Sequence, residues 1–221
     1  MQMRRRLKAI ASLVDKGSNV IDVGCDHALL DIYLTLYNDN KCIASDINKN
    51  AYEIAKTNIE KYNLTDKIEL VCSDGFDKIE MNKTYTAIIC GMGTTTILNI
   101  LNHSKLKMVD SLIIQTNNDI YTIRKMVSSI GFYIQDEIIV NERGIFYVII
   151  KFVRGKKIRY SWKQLYLGPI ILKKTMVEKE TYLKFLLDSN LDILNKLPKK
   201  YRFKRMKLKY INKLIIKELQ M

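Results

Sequence analysis

Apolar positions along the chain fall into short runs separated by stretches with helical spacing. The runs Asn19–Cys25, Cys42–Ile47, Ile68–Asp74, Tyr85–Met92, Ser111–Thr116, Phe132–Val140 and Ile145–Val153 predict strands. Helical spacing predicts helices over Ala28–Tyr37, Asn48–Tyr62, Thr94–Leu101 and Asp119–Ile130, with Asn48 able to cap the second. Ahead of them, Leu7, Ile10 and Leu13/Val14 share one side of an amphipathic N-terminal helix. Strands that alternate with helices of this length imply βαβ units and a mostly parallel sheet. The last two strands break the alternation: only Asn141-Glu142-Arg143-Gly144 separates them, so they predict an antiparallel hairpin.

Beyond Arg154 the pattern changes. Gly155 and the run Lys156–Arg159 predict a linker, and a long helical stretch runs from Gly168-Pro169 to about Lys196. Leu172, Met176, Leu183, Leu187, Asn190, Leu194 and Leu197 fall near a three-four repeat, Pro198 breaks it, and a second helix carries Phe203, Met206, Tyr210, Ile211, Leu214 and Ile215 to the end. Two long helices joined by a short turn predict an antiparallel, coiled-coil-like hairpin. The expected boundaries are thus an α/β domain over 1–154 and a helical domain over 155–221.

Charge sharpens this division. Met1–Val153 holds 18 Lys+Arg and 18 Asp+Glu, whereas Arg154–Met221 holds 19 and 5, so the net +14 falls on the last 68 residues. Such a segment suits a polyanion, most simply nucleic acid, against the plainer reading of a solvated helical surface. No run of eighteen or more apolar residues predicts a membrane span, and the basic start MQMRRRLKAI lacks the apolar core of a signal peptide, which points to the cytoplasm. Cys25, Cys42, Cys72 and Cys90 form no CxxC pair; buried free thiols are expected over disulfides or a zinc site. Nothing indicates a metal or an obligate protein partner.

The candidate chemistry lies at the strand ends. Asp22, Asp46 and Asp74 close the first three strands, and in a parallel sheet those ends share one edge. An acid after the second strand suits the two hydroxyls of a ribose, one after the third suits the exocyclic amine of adenine, and Gly24 lets a ligand approach the backbone. Helix caps and turn residues are the alternative. The GxGxxG that packs a pyrophosphate against a helix is missing after Gly24, which argues against NAD or FAD. S-adenosylmethionine has no pyrophosphate, and Asp22 or Asp26 suits its ammonium and sulfonium region. The fourth strand ends in Cys90-Gly91-Met92-Gly93-Thr94, where two glycines leave room for a flat base.

A parallel sheet closed by an antiparallel hairpin, seven strands in all, resembles the class I (Rossmann-like) methyltransferase fold. The segments DVGCDHALLDIYL (22–34), SDIN (45–48), SDGF (73–76), ICGMGT (89–94) and IIQTN (113–117) resemble the bacterial tRNA (adenine-N1)-methyltransferase family that modifies adenine 22 of tRNA (TrmK). The match runs in order along nearly the whole chain. The chain departs from the family pattern in three places: Asp-His-Ala-Leu-Leu-Asp stands for Asp-His-Ala-Tyr-Leu-Pro, Thr94 for a second glycine after GMG, and Gln115-Thr116-Asn117 for Gln-Pro-Asn. The resemblance implies methyl transfer from S-adenosylmethionine to adenine N1, with a C-terminal helical coiled coil on the tRNA. Asp22, Gly24, Cys25, His27, Asp46, Ile47, Asp74, Gly75, Gly91 and Met92 would hold the cofactor. Asp26 is the candidate catalytic carboxylate; His27 is either a second catalytic group or a cofactor contact. Gly93, Gln115 and Asn117 would meet the adenine, and Arg4, Arg5, Lys199, Lys200, Arg202 and Arg205, with Arg6 as help, the tRNA backbone. Other readings are a different RNA or protein methyltransferase, or a non-catalytic RNA-binding protein on this fold.

Overall fold

A computed structural model describes residues 3–220, in two compact units that divide between Lys157 and Ile158. In the first, seven strands form one sheet: β1 (Asn19–Val23), β2 (Lys41–Asp46), β3 (Ile68–Cys72), β4 (Tyr85–Met92), β5 (Val109–Thr116), β6 (Phe132–Glu142) and β7 (Ile145–Arg154). Their order is β3-β2-β1-β4-β5-β7-β6. The first five are parallel, and β7 runs antiparallel to both β5 and β6. This is the seven-stranded, mostly parallel methyltransferase sheet. The chain order reverses between β1 and β4, so the crevice beyond their carboxyl ends is where such a sheet takes ligands.

Five helices accompany the sheet: α1 (Arg5–Ser12), α2 (Leu29–Asn38), α3 (Lys49–Lys61), α4 (Thr94–Leu101) and α5 (Ile120–Ser129). Alternate residues of the parallel strands point to opposite faces. Val20, Cys42, Ala44, Ile88 and Ile113 form one core with Ile10 of α1, Leu30 and Ile32 of α2, and Ala55 and Ile59 of α3. The other parity, Ile21, Val23, Ala87, Ile89, Leu112 and Ile114, is equally buried, as are Ile97 of α4 and Ile123 and Val127 of α5. Such double-sided burial is why these strands read as continuous apolar runs rather than as alternation. The hairpin is tighter than its sequence suggests. β6 and β7 stay paired to Glu142 and Ile145, leaving a two-residue turn of Arg143 and Gly144, both with positive φ (55° and 80°). Its backbone twist matches that of the flanking strands.

Two ion pairs fix this end of the sheet. Arg124 Nε donates to Glu137 Oε1 at 2.7 Å with both side chains sealed from solvent, joining α5 to β6. Lys151 of β7 reaches Asp15, just after α1, at 2.8 Å.

The second unit holds α6 (Trp162–Leu167), a 3-10 turn (Ile171–Lys173), α7 (Met176–Lys196) and α8 (Arg202–Leu219). Helix α6 falls in a stretch with no expected element, and its signal is local: Ser161 and Gln164 form a reciprocal capping box at its start. Leu167, Leu183, Ile211 and Ile215 make the interior of this unit. At its centre Asn190 Nδ2 donates to Asn212 Oδ1 at 2.9 Å. Glu218, nearly buried, receives Lys163 at 2.5 Å and Lys179 at 3.5 Å. Phe203 and Met206, expected on the packed stripe of the last helix, point outward instead, Phe203 with 88% of its surface exposed. The packed stripe runs through Ile211 and Ile215, one turn apart, and residues 203, 206 and 210 lie around the helix from it. Among the described residues no helix is long and apolar enough to cross a membrane.

Replacing Glu137 by Leu removes the carboxylate facing a buried guanidinium. Urea unfolding followed by circular dichroism is expected to give a loss of about 3–5 kcal/mol. The double variant Arg124→Leu/Glu137→Leu should recover most of it; a single variant as stable as the parent would show the pair to be dispensable.

Candidate functional site

The site begins where β1 stops. Gly24 turns the chain with φ 79°, a backbone conformation that favours glycine, and a Cβ there would meet only the movable Cε end of Met92. The backbone N–H groups of Gly24 and Cys25 donate to the Ser45 carbonyl at 2.7 and 3.0 Å. The Asp26 N–H donates to Asp46 Oδ2 at 3.1 Å, and the Asn48 N–H donates to Asp46 Oδ1 at 2.8 Å. One carboxylate thus ties the loop after β1 to the loop after β2. Asn58 of α3 donates to the His27 carbonyl and closes the loop from the other side. Asp26 and Ala28 both hold φ 53°, a left-handed conformation that costs roughly 1 kcal/mol or more per non-glycine residue.

Two adjoining cavities of about 310 and 380 Å³ open along this edge. Arg6, Gly24, Asp26 and Cys90 border both. Asp22, Cys25 and His27 line the first; Asp46, Ile47, Asp74, Gly75, Gly91 and Met92 line the second. The ten residues expected around a cofactor therefore converge on one cleft. Asp26 stands at its mouth with 77% of its side chain exposed, 3.4 Å from His27 Nε2. Ile47 presents an apolar side chain, 64% exposed, at the rim.

The expected substrate residues are placed differently. Gly93 precedes α4 and neither cavity reaches it. Asn117 donates from Nδ2 to the Gly91 carbonyl at 2.7 Å and from its backbone N–H to the Met92 carbonyl, which holds the irregular end of β4 in place. Gln115 is buried. Its Oε1 accepts from Arg6 Nη1 at 3.3 Å and its Nε2 donates to Asn117 Oδ1 at 3.2 Å, so it braces neighbours and has no free edge toward the cleft. Arg4 and Arg5 are exposed at the start of α1. In the second unit Lys199, Lys200 and Arg202 are exposed, but Arg205 donates to the carbonyls of Leu194 and Leu197 and caps the end of α7.

Arg6, expected only on the tRNA backbone beside Arg4 and Arg5, and two residues that sequence reasoning left out belong to the site or its frame. Arg6 lies between the cavities, over the Tyr147 ring at 5.0 Å, with its Nε buried and without a partner among the described residues. Its position was legible: Arg6 precedes Ile10 by four residues and Leu13 by seven, on the side of α1 that packs inward. Asn118 caps α4, accepting the Thr94 N–H at 2.8 Å. Asp31 lies fully buried in the first turns of α2, behind Asp22.

Burial dominates the electrostatics here. It pushes the Asp22 carboxyl up to about 7, aided by the nearby Asp46 charge and opposed by a hydrogen bond from Asp31. Burial raises Asp31 as well, and the Asp22 charge adds to it. No donor on another described residue apart from Asp22 meets either Asp31 oxygen. Two neighbouring buried carboxyls without a cation between them disfavour double ionisation. Burial, and after it these carboxylates, also drives the thiols of Cys25, Cys42 and Cys90 upward. All four cysteines are free.

Comparison with known proteins bears on what this cleft holds. The family described as "Methyltransferase domain" matches residues 3–150. A Mycoplasma genitalium protein provisionally named a tRNA methyltransferase is 32% identical over 176 residues, 77% of this chain and 79% of that one. The Bacillus subtilis tRNA (adenine(22)-N(1))-methyltransferase is 29% identical over 68% of this chain and 64% of its own length. A Streptococcus pneumoniae structure, provisionally named a tRNA (m1A22) methyltransferase and solved with S-adenosyl-L-methionine, superposes with a TM-score of 0.85 at 29% identity, covering 99% of this chain and all of that one.

The buried acid pair makes a stability prediction. A folded-state value above the ordinary 3.8 means that the folded chain holds the proton more tightly than the unfolded chain. The stability tied to Asp22 is therefore fully present below about 4 and is lost as pH rises through about 7, and that tied to Asp31 is lost in the same direction. Asp31→Asn removes one buried acid and should flatten that decline. At pH 8 the variant is expected to be more stable than the parent, with the gap closing near pH 4. Denaturation curves at both pH values check this, and parallel curves would count against the pair.

Proposed function

The chain belongs to the bacterial tRNA (adenine(22)-N1)-methyltransferase family, and from that premise we propose that it transfers a methyl group from S-adenosylmethionine to N1 of an adenine in tRNA, at position 22, in the cytoplasm. The observation that carries this reading is the convergence of Asp22, Asp46 and Asp74, from three strand ends, on a cleft that opens at a glycine turn. The donor set fits the cofactor. Asp46 retains lone pairs for ribose hydroxyls beyond the two N–H groups it accepts. Asp74 is exposed for an exocyclic amine, and Ile47 offers an apolar wall to a base. Asp22 supplies negative charge where a cationic end would lie. The unpartnered Arg6 Nε suits a carboxylate. Bound there, S-adenosylmethionine supplies an electrophilic methyl on a positively charged sulfur.

The chain's own residues then have two tasks. Adenine N1 carries an in-plane lone pair and needs little activation, so most of the work is positioning. Gly93 and Asn117 flank the end of β4 where the base would enter, and Gln115 acts through Arg6 and Asn117. The methylated ring is cationic; Asp26, at the cleft mouth, stabilises that charge and is placed to take a proton from N6. His27 at 3.4 Å orients the Asp26 carboxylate. An adenine within folded tRNA must leave its stack to reach the cleft. The second unit, with Lys199, Lys200 and Arg202 exposed, grips phosphates together with Arg4 and Arg5.

Unmodified tRNA incubated with labelled S-adenosylmethionine, digested and analysed by nucleoside mass spectrometry, should yield 1-methyladenosine. No labelled nucleoside, or label on another base, overturns the reading. Asp26→Ala is expected to lower kcat about a hundredfold with a smaller change in KM, and an unchanged kcat removes it from the reaction. The triple variant Lys199→Ala/Lys200→Ala/Arg202→Ala should weaken tRNA binding and reduce the slope of log Kd against log salt by about two to three. An unaltered slope places the phosphate contacts elsewhere.

A further inference from the structure

Asp31 has no part in the reading above, yet its position is the most unusual in the domain. It is a fully buried carboxyl in a helix, and on other described residues its side-chain oxygens meet only Asp22. An ionised carboxylate without donors or a cation is costly to bury. Asp22 is the one member of the pair that reaches the cleft. Resting on the cofactor reading, we propose that Asp31 is a positioning residue that works as a protonated acid: its hydroxyl donates to Asp22 and holds the Asp22 carboxylate ionised and aimed at the cationic end of S-adenosylmethionine.

The surroundings support the direction of the proton. Charged and titratable groups face the pair from each neighbouring element: Arg6 from α1, Cys25 and His27 from the loop after β1, Cys42 and Asp46 from β2, and Cys90 from β4. Arg6 forms no ion pair with Asp31 among the described residues, and Asp46 disfavours a second negative charge. The thiols are held neutral by the same burial. Of the two acids, Asp31 is the more deeply sealed, so the proton belongs on Asp31 and the charge on Asp22. Burial pushes Asp22 up to about 7 even so, which puts its ionisation in the working range. A protonated carboxylic acid kept as a donor beside an ionised partner is sound chemistry in an apolar site.

The signature is in cofactor binding rather than turnover. Calorimetric titration of the full chain with S-adenosylmethionine between pH 5.5 and 8.5 should show affinity rising with pH as Asp22 ionises, then levelling. Below the midpoint, binding should release close to one proton, read from the heats in two buffers of different ionisation enthalpy. Asp31→Asn keeps a donor and should keep the midpoint. Asp31→Leu has none, so the midpoint should move up by at least one pH unit and the affinity at pH 7 should fall about tenfold or more. If Asp31 were ionised instead, the leucine would relieve repulsion and the midpoint would move down, which overturns the proposal. Histidines titrate in the same window, so His27→Gln is run beside it, and a pH profile that vanishes with His27 assigns the proton to the imidazole and also overturns the proposal. The wild-type series stands without any variant, since binding with no proton release is enough to reject the idea. Failure of the wild-type chain to bind S-adenosylmethionine at any pH would instead reject the cofactor reading itself.

Discussion

The cleft depends on one carboxylate. Asp46 accepts the N–H of Asp26 with one oxygen and that of Asn48 with the other. Parallel strands end with unpaired backbone groups on a shared edge, and the loops that follow have no ladder to hold them. By bridging two such loops, Asp46 gives the edge a fixed shape and lets Asp26 and Ala28 keep left-handed backbone angles that neither would choose alone. Around this bridge the Ser45 carbonyl, Asn58 and Asn117 take up further loop groups. The site is thus a set of loops held by polar side chains above a sheet held by apolar ones.

The second unit solves a different problem. A strongly basic segment must fold although its own charges repel. Its interior answers with a small apolar core and two polar devices: the Asn190–Asn212 bond, and Glu218 between Lys163 and Lys179. A polar pair inside a helical seam lowers stability but favours one register. Glu218 neutralises cations on the inside, and Arg205 is turned onto backbone carbonyls. Lys199, Lys200 and Arg202 are left exposed to solvent.

Much of this was legible in the chain itself. Apolar runs broken by helical spacing give the strand and helix sequence, because strands buried on both faces cannot hide their composition. The three acids Asp22, Asp46 and Asp74 follow from the rule that parallel strands end on one edge. Side-chain direction was less accessible. Gln115 sits at the expected strand end but turns inward, and Arg205 lies in the basic cluster but caps a helix. Phe203 and Met206 keep helical spacing with Tyr210 rather than with Ile211 and Ile215, and so face water. The pairing of Asp31 with Asp22 needs a strand and the following helix to meet across nine residues of sequence; in the chain alone Asp31 is visible only as an acid where the family pattern has proline. Helix α6, at six residues, is too short to carry a periodic pattern.

The thiols of Cys25 and Cys90 border a cleft that, in this reading, receives one of the strongest biological alkylating agents. A thiolate is a better nucleophile toward a sulfonium methyl than any adenine nitrogen. The burial and carboxylates that surround these cysteines keep them as thiols. In the same reading, burial first and the acid cluster after it keep these cysteines from competing for the methyl group.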